Sequence, residues 1–574
     1  MIKWALIALL AVFLVALPYL GLLPGWTFSL ATTVVLQAVA LIGLNLIFGV
    51  VGMLAFGQAA FMALPAYIAA VLTELGLAFP VALVGGFVIT VAVAGLVAGV
   101  FVRLPGVYLA VGSLGFGFTV EGLARAFPAW TGGASGLVFP YGRALNEHEW
   151  YVVAVVLLVI ALLAYAWVVS GARWRCLRTI RHDELAAAVL GIDLTREKAR
   201  AFTIGSVFAA AGGLFLALYV GVQIPEDAGV TRSLEQIGTI LLGGAGFLFG
   251  PLVGAAVVNW LFVVAGYGAR YELLIYGVAF LAVVLYAPDG IMGWITAVRL
   301  PFGGLLDQRN SVSEITVLPP TFDQGAVAAA AGNSDEICLR IDNLSRRFDG
   351  LLAIDQVTFD VRAGEIFTLV GPNGAGKTTL FNIISGILAP SSGTVYLRGL
   401  DITGLRVDRR APDIGRSFQV ARLVPELSAK SNVLVRLDQI APHLGERERH
   451  HLALAQLDRF GLAMLADRPV KELSLGQHKL IDLARAAVGD PALVLLDEPA
   501  VGLTESELLH LAAVLDALQR RGSAVLIVEH NIEFVTRVAN RGIVLDSGRP
   551  IAIGPVKEIF ADQKVRDAYF GALT

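Results

Sequence analysis

From residue 4 to about residue 288 the chain repeats one pattern: apolar runs of about twenty residues, broken by short polar or glycine-bearing stretches. A helix needs about 20 apolar residues to cross the hydrocarbon core of a bilayer, so the pattern predicts membrane helices. The runs fall at 4–23, 28–50, 53–72, 79–101, 105–127, 150–170, 201–222, 234–268 and 271–288. The first has a basic flank at Lys3 but no clear small-residue cleavage site after it. It reads as a retained span rather than a signal peptide. Beyond residue 336 the pattern changes: 365–370, 493–496 and 524–528 read as short buried strands, and 380–388 as a helix.

Composition follows the same division. The first 300 residues hold 27 charged side chains, or 9%, and the remaining 274 hold 62, or 23%. The first share suits a membrane and the second a soluble domain. Between them, 301–336 carries Pro319, Pro320, a run of alanines and Gly332 to Asp335, which is linker composition. A flexible tether of that length spans roughly 30–35 Å end to end. A net charge of −3 excludes a general polyanion-binding surface, so no nucleic-acid partner is expected. Two cysteines, Cys176 and Cys338, cannot form a disulfide framework and are expected to stay reduced.

The chemistry is concentrated in the second half. The strand 365–370 runs into Gly371, Pro372, Asn373, Gly374, Ala375, Gly376, Lys377, Thr378 and Thr379, and then into a helical pattern. This is a phosphate loop, GxxxxGK[ST], in its strand–loop–helix setting. Its glycines let backbone N–H groups converge on phosphate oxygens at a helix N-terminus. Lys377 supplies charge to the β- and γ-phosphates, and the Thr378 hydroxyl is placed for Mg²⁺. Downstream, Leu493 to Leu496 is an apolar strand that ends in Asp497 and Glu498. Alone, that is more often an ordinary strand end. Paired with a phosphate loop, it places Asp497 to hold Mg²⁺ and Glu498 to polarise an attacking water.

With these motifs and four more in order, the second half resembles the ATP-binding cassette (ABC) family. Gln419 matches the Q-loop glutamine, which implies a contact to Mg²⁺ or water and to the membrane subunit. Leu473, Ser474, Leu475, Gly476 and Gln477 match the signature motif LSGGQ, with Leu475 in place of its first glycine. Residues 500–504 fit the D-loop, and His530, after Glu529, matches the switch histidine. Phe348 fits the aromatic that stacks on adenine, although on spacing alone a core phenylalanine is the commoner reading. The resemblance implies that the signature of one cassette closes on nucleotide held by another. Ser474, Gly476 and Gln477 would then act on a second cassette's ATP.

The first half resembles the permease subunit of branched-chain amino acid importers over most of 30–293. The matching stretches include Leu44 to Gly49, Leu54 to Phe61, Gly106 to Ala110, Thr131 to Gly133, Leu242 to Gly244 and Ala287 to Gly290. The sharpest is Arg178 to Ala187 with Leu190 to Ile192, which resembles the family's cytoplasmic coupling helix. It lies in the one strongly basic loop, 173–200, which the positive-inside rule puts in the cytoplasm. An ATP-using half is also cytoplasmic, so an even number of spans must separate the two. Splitting 234–268 near Gly250 and Pro251 restores parity and gives about ten spans. Gly112, Gly115 and Gly117 fit either close helix packing or a broken helix lining a solute path. Residues 131–136 read as a loop.

The expected fold is therefore multidomain: a polytopic α-helical membrane domain at 1–300, a flexible linker at 301–336 and an α/β phosphate-loop ABC ATPase at 337–574. The resemblance implies ATP-driven import of branched-chain or related amino acids across the cytoplasmic (inner) membrane. ATP and Mg²⁺ are the expected cofactors. The expected partners are a second permease, a second cassette, an extracytoplasmic solute-binding protein and the bilayer. Ala134 and Ser135 stand where many relatives have Ser-Asp, which keeps urea, short amides or aromatic carboxylates open as solutes. An ABC exporter is a weaker alternative, because short loops and one basic segment do not suit it.

Overall fold

The computed structural model describes residues 25–139, 145–266, 272–297 and 336–570. The apolar run at 4–23 and the linker, apart from Glu336, lie outside the described residues. The chain divides into two compact units. One is Met1–Arg181 with Leu194–Ser311, and the other is His182–Asp193 with Val312–Thr574. The short segment 182–193 therefore leaves the first unit and belongs to the second.

The first unit is helical. Its elements are α1 (Gly25–Leu44), α2 (Gln58–Glu74), α3 (Phe79–Phe101), α4 (Gly106–Ala126), α5 (Glu147–Val168) and α6 (Gly171–His182). In chain order α7 (Glu184–Val189) comes next but belongs to the second unit. The first unit resumes with α8 (Leu194–Val220), α9 (Val230–Gly243), α10 (Gly250–Gly266), α11 (Glu272–Tyr286) and α12 (Gly290–Ala297). Among the described residues, five helices are long and apolar enough to cross a membrane: Thr27–Val50, Phe79–Phe101, Gly106–Ala126, Glu147–Val168 and Leu194–Val220. Val81, Val84, Val88, Leu96 and Val100 of α3 are all exposed, as are Val107, Val111 and Phe118 of α4. Such large apolar bands in contact with water would be costly, so these faces suit lipid.

The apolar runs at 28–50 and 234–268 are not continuous α-helix, and the second is split close to the Gly250 and Pro251 break expected from sequence. The last turns of the first long helix, Asn45–Val50, are π-helical. Asn45 is fully buried there, and its Nδ2 donates to the Tyr165 hydroxyl at 3.0 Å and to the Phe247 carbonyl at 2.9 Å. Its Oδ1 accepts from the Gly246 amide at 2.7 Å. This one side-chain amide satisfies the Gly246 N–H and the Phe247 carbonyl of the non-helical connection between α9 and α10, groups that in a bilayer have no water to bond. The run read at 234–268 is thus two helices, ending at Gly243 and restarting at Gly250, with Gly244 and Gly246 at φ +113° and +86°.

Small residues set helix spacing. A Cβ on Gly43 of α1 would strike the Gly205 backbone of α8, so these helices touch backbone to backbone. Helix α4 is continuous through its glycines, so they do not break it. Gly117 approaches the Ala228 carbonyl, whereas Gly115 faces open space. Residues 128–131 and 133–135 form single helical turns, and the two short strands β1 (Leu137–Val138) and β2 (Val222–Gln223) pair antiparallel. The basic extramembrane segment, expected to carry a short helix, begins in α6. It contains good helix formers and no proline, and Arg178 folds back over Trp174 one turn earlier, 4.4 Å from its ring.

The second unit has two sheets. Strands β3 (Ile337–Phe348), β4 (Leu351–Arg362), β6 (Ser392–Leu397) and β7 (Leu400–Asp401) form an antiparallel sheet in the order β4-β3-β6-β7. Strands β5 (Ile366–Val370), β8 (Ile414–Arg416), β9 (Leu493–Asp497), β10 (Ala524–Val528), β11 (Arg541–Asp546) and β12 (Arg549–Pro555) form the other, in the order β12-β11-β5-β10-β9-β8. Its central pairs β11·β5, β5·β10, β10·β9 and β9·β8 are parallel. Parallel strands are covered on both faces, which is why β5 and β10 are buried at every position. Helices α13 (Lys377–Ile384), α14 (Ala429–Ile440), α15 (Glu446–Arg459), α16 (Leu475–Ala487), α17 (Glu505–Arg520) and α18 (Ile532–Val538) are among the helices of the unit.

One buried ion pair anchors the region around Gln419. Asp482 and Arg485 of α16 pair at 2.5 Å with 2% and 1% of their side chains exposed. Asp482 also accepts from the Phe418 amide at 3.1 Å, and Arg485 donates to the Arg422 carbonyl at 3.0 Å. Asp482→Ala strands the arginine charge and is expected to destabilise the second unit by about 3–5 kcal/mol. Thermal unfolding of the detergent-solubilised chain checks this. A midpoint equal to wild type would remove the pair from the folding account.

Candidate nucleotide site

The ends of the parallel strands place the phosphate loop. Strand β5 stops at Val370, and the chain turns through Gly371, Pro372, Asn373, Gly374 and Ala375 to Gly376, the N-cap of α13. Gly374 and Gly376 have φ of +84° and +98°, which a side chain would strain, and a Cβ on Gly376 would also strike the Ala353 carbonyl. No side chain caps α13, so the first amides of this helix are left for a ligand.

A cleft of about 490 Å³ opens over the loop. Phe348, Asn373, Gly374, Ala375, Gly376, Lys377, Thr378, Thr379, Gln419, Asp497, Glu498 and His530 all line it. The fold thus brings together twelve of the residues named from sequence. Gly371 and Pro372 contribute backbone: the Lys377 ammonium donates to their carbonyls at 2.6 and 2.9 Å. Burial lowers the Lys377 pKa, and Glu498 and Asp497 partly oppose this. A desolvated ammonium held only by carbonyls is a ready partner for a phosphate oxygen. Asp497, at the end of β9, has its pKa raised, first by burial, while Arg416 opposes this.

Glu498 is the centre of a polar cluster. Gln419 Nε2 donates to its Oε2 at 2.7 Å, and His530 Nε2 lies 3.3 Å from its Oε1. Lys479 of α16 donates to its carbonyl at 3.0 Å. The Glu498 backbone has φ +47°, a left-handed conformation that costs a non-glycine residue energy and fixes where the carboxylate points. Phe348 is 37% exposed at the cleft, and the Arg346 guanidinium covers one face of its ring at 4.6 Å. A planar base therefore has the opposite face to stack on.

The cleft suits a nucleoside triphosphate, with a glycine-lined anion cradle, a lysine and an exposed aromatic. Among the described residues, no group of three or more His, Cys, Asp or Glu side chains forms a metal cage. The oxygen donors Thr378, Gln419 and Asp497 line the same cleft, a set that suits Mg²⁺ shared with phosphate oxygens.

Ser474, Gly476 and Gln477 do not join this cleft. They start α16, where the Ser474 hydroxyl accepts from the Gln477 amide at 3.2 Å and Gln477 Oε1 accepts from the Ser474 amide at 3.0 Å. Leu475, which replaces a signature glycine, is 79% exposed, while Gly476 is buried under the Glu507 carboxylate. Sequence reasoning gave Lys479 no role and treated Glu529 only as the neighbour of His530. Glu529 is 1% exposed, and its carboxylate accepts from the Ala500 and His530 amides at 2.6 and 3.1 Å, so it ties the backbone at these two positions together. Its place directly before His530 was the available signal.

Segment 182–193 packs on this same unit. Asp183 caps α7 by accepting from the Ala186 amide at 2.9 Å, and it pairs with Arg422 at 2.5 Å. Asp193 pairs with Arg406 at 2.9 Å. Between them, Ala186 and Val189 bury against Phe418, the residue before Gln419. The Arg422 guanidinium lies over the Phe418 ring at 4.8 Å.

Residues 26–284 match the family described as the branched-chain amino acid transport system permease component, and residues 354–501 match the ABC transporter family. The high-affinity branched-chain amino acid transport ATP-binding protein LivG of Salmonella typhimurium is 34% identical over 41% of this chain and 97% of its own length. The chain is a fused permease and ATPase of the branched-chain amino acid ABC transporter family. Another relative of the ABC half is a putative ribose/galactose/methyl galactoside import ATP-binding protein of Burkholderia cenocepacia. It is 33% identical over 42% of this chain and 46% of its own. A solved ADP-bound ATP-binding cassette of an ABC transporter is 29% identical over 41% of this chain and 99% of its own, with a TM-score of 0.37. This transporter chain binds nucleotide and couples ATP hydrolysis to transport.

Replacing Lys377 by Ala removes the one ammonium of the phosphate cradle. ATP affinity is expected to fall on the order of 10–100-fold, the worth of a charge-assisted hydrogen bond. Titration with a fluorescent ATP analogue measures this, and wild-type affinity would contradict the cradle assignment.

Proposed function

We propose that this chain is half of an ATP-driven importer of branched-chain or related amino acids in the cytoplasmic membrane. The observation that carries the reading is the packing of 182–193 on Phe418, next to the Gln419 that bonds Glu498. A movement of this permease-derived segment reaches the carboxylate beside the phosphate loop through two adjacent residues. In this reading the permease is 1–300 in about ten spans, the linker 301–336 and the cassette 337–574.

In this reading ATP sits in the cleft, with its phosphates on 371–379 and its base on the free face of Phe348. Thr378, Asp497 and Gln419 would hold Mg²⁺, which would supply charge neutralisation at the phosphate oxygens. Glu498 orients the attacking water, and His530 and Gln419 hold the Glu498 carboxylate in place. Ser474, Gly476 and Gln477 face away from this cleft and serve a second cassette. The remaining partners are a second permease and an extracytoplasmic binding protein, and the tether fixes the permease-to-cassette ratio. The sugar named for the Burkholderia relative belongs to a match that covers the cassette alone, and the cassette does not touch solute.

Proteoliposomes containing the assembled transporter test the reading. Labelled leucine is expected to accumulate inside when ATP is present on the cassette side and the binding protein on the other. Uptake of urea or benzoate with no leucine uptake would replace it with the amide or carboxylate reading. Glu498→Gln is expected to slow ATP hydrolysis by about 10²–10⁴-fold with ATP binding intact. Unchanged single-site turnover would remove Glu498 from its role. Arg422→Asp is expected to cut uptake several-fold while basal hydrolysis persists. Adding Asp183→Arg should recover uptake, and failure of that rescue would detach the ion pair from coupling.

A further inference from the structure

Glu498 is held in a conformation that its own sequence disfavours. It precedes Pro499, and the ring of a following proline pushes a residue toward extended backbone. Its φ is instead +47°, in the left-handed region. A non-glycine residue stays there only where the surrounding structure holds it. Both peptide groups around its Cα are held from a distance. The Glu498 amide donates to the Val528 carbonyl, at the end of β10, at 2.9 Å. The Glu498 carbonyl accepts from the Lys479 ammonium at 3.0 Å. The Val501 amide also approaches that carbonyl, but only to 3.4 Å. Among the described residues, Lys479 is thus the one side chain bonded to the Glu498 backbone.

Lys479 is suited to this hold. It extends from the second turn of α16, a helix fixed in the core through Asp482 and Arg485. Three carboxylates lie near its ammonium, and each is committed elsewhere. Glu529 accepts from the Ala500 and His530 amides, Asp482 binds Arg485 and the Phe418 amide, and the Glu498 side chain meets Gln419 and His530. Burial lowers the Lys479 pKa, and these carboxylates oppose that. The ammonium is left to the carbonyl, and a charged donor bonds more strongly than a neutral one. The direction of the Glu498 Cα–Cβ bond follows from its backbone, so a turn toward extended backbone would swing the carboxylate away from Gln419 and His530. We propose that Lys479 is a positioning residue for ATP hydrolysis: by holding the Glu498 carbonyl, it keeps that residue left-handed and its carboxylate aimed over the phosphate loop. The inference rests on the reading of Glu498 as the water-orienting carboxylate and adds the group that orients it.

The test uses the full chain assembled with its companion permease, cassette and binding protein, the companion cassette's own ATP site being inactivated. Single-turnover hydrolysis reads the chemical step, and titration with a fluorescent ATP analogue reads affinity. Lys479→Met keeps the apolar stem and loses the donor. It is expected to slow hydrolysis about 10–100-fold, the cost of misplacing a reacting group by about 1 Å, with ATP affinity within about twofold of wild type. Lys479→Arg restores a charged donor and is expected to recover most of the rate. In a Glu498→Gln background, Lys479→Met is expected to slow hydrolysis no further, because the group it aims is gone. A merely structural lysine would lower rate and affinity together and would add to the Glu498→Gln defect. Either result overturns the inference, as does a wild-type rate in Lys479→Met or no recovery in Lys479→Arg. If Lys479→Met does not accumulate in the membrane, Lys479→Gln is read in its place. A wild-type rate in Glu498→Gln overturns the reading of Glu498, and this inference with it. A slow Glu498→Gln beside an unaffected Lys479→Met overturns this inference alone.

Discussion

The hydrogen bond from Gln419 to Glu498 ties the two chemistries of this chain together, and most other features can be traced from it. One end is a carboxylate held by a left-handed backbone at the end of β9, beside Asp497 and the phosphate loop. The other end follows Phe418, whose ring receives Ala186 and Val189 from segment 182–193. A flexible link would dissipate movement between these ends. Here the Phe418 amide is bonded to Asp482, and Asp482 is locked by Arg485 in the core of α16. Packed interiors transmit displacement because they have little free volume.

The first unit solves a different problem, the satisfaction of backbone where water is absent. Helices alone would do this, yet the chain breaks between α9 and α10 and bends through a π turn after α1. Asn45 resolves both irregularities by bonding Gly246, Phe247 and Tyr165 at once. Close glycine contacts such as Gly43 with Gly205 then let the long helices approach without side chains between them.

The nucleotide cleft was largely legible in the sequence, because its key groups are consecutive or end a strand. Residues 371–379 carry their geometry in their own glycines, and Asp497 and Glu498 follow an apolar run that can only be a strand or a buried helix. Lys479 was not legible. It reaches Glu498 from a helix almost twenty residues away, and nothing in its local pattern marks it. Helix α6 lies in the basic segment that the sequence placed outside the membrane and expected to be helical in part. Its helicity comes from favourable propensity and an arginine folded over tryptophan.

What the sequence determined by itself is whatever depends on local order. The apolar run lengths, the phosphate loop, the carboxylates at a strand end and the sharp change in charge near residue 300 are of this kind. Tertiary structure alone decided which distant residues meet. It moved 182–193 into the second unit and paired Asp183 with Arg422 and Asp193 with Arg406. The reason is physical. Backbone geometry and burial length are set over a few residues, but an ion pair or a packed ring needs two surfaces brought together by the whole fold.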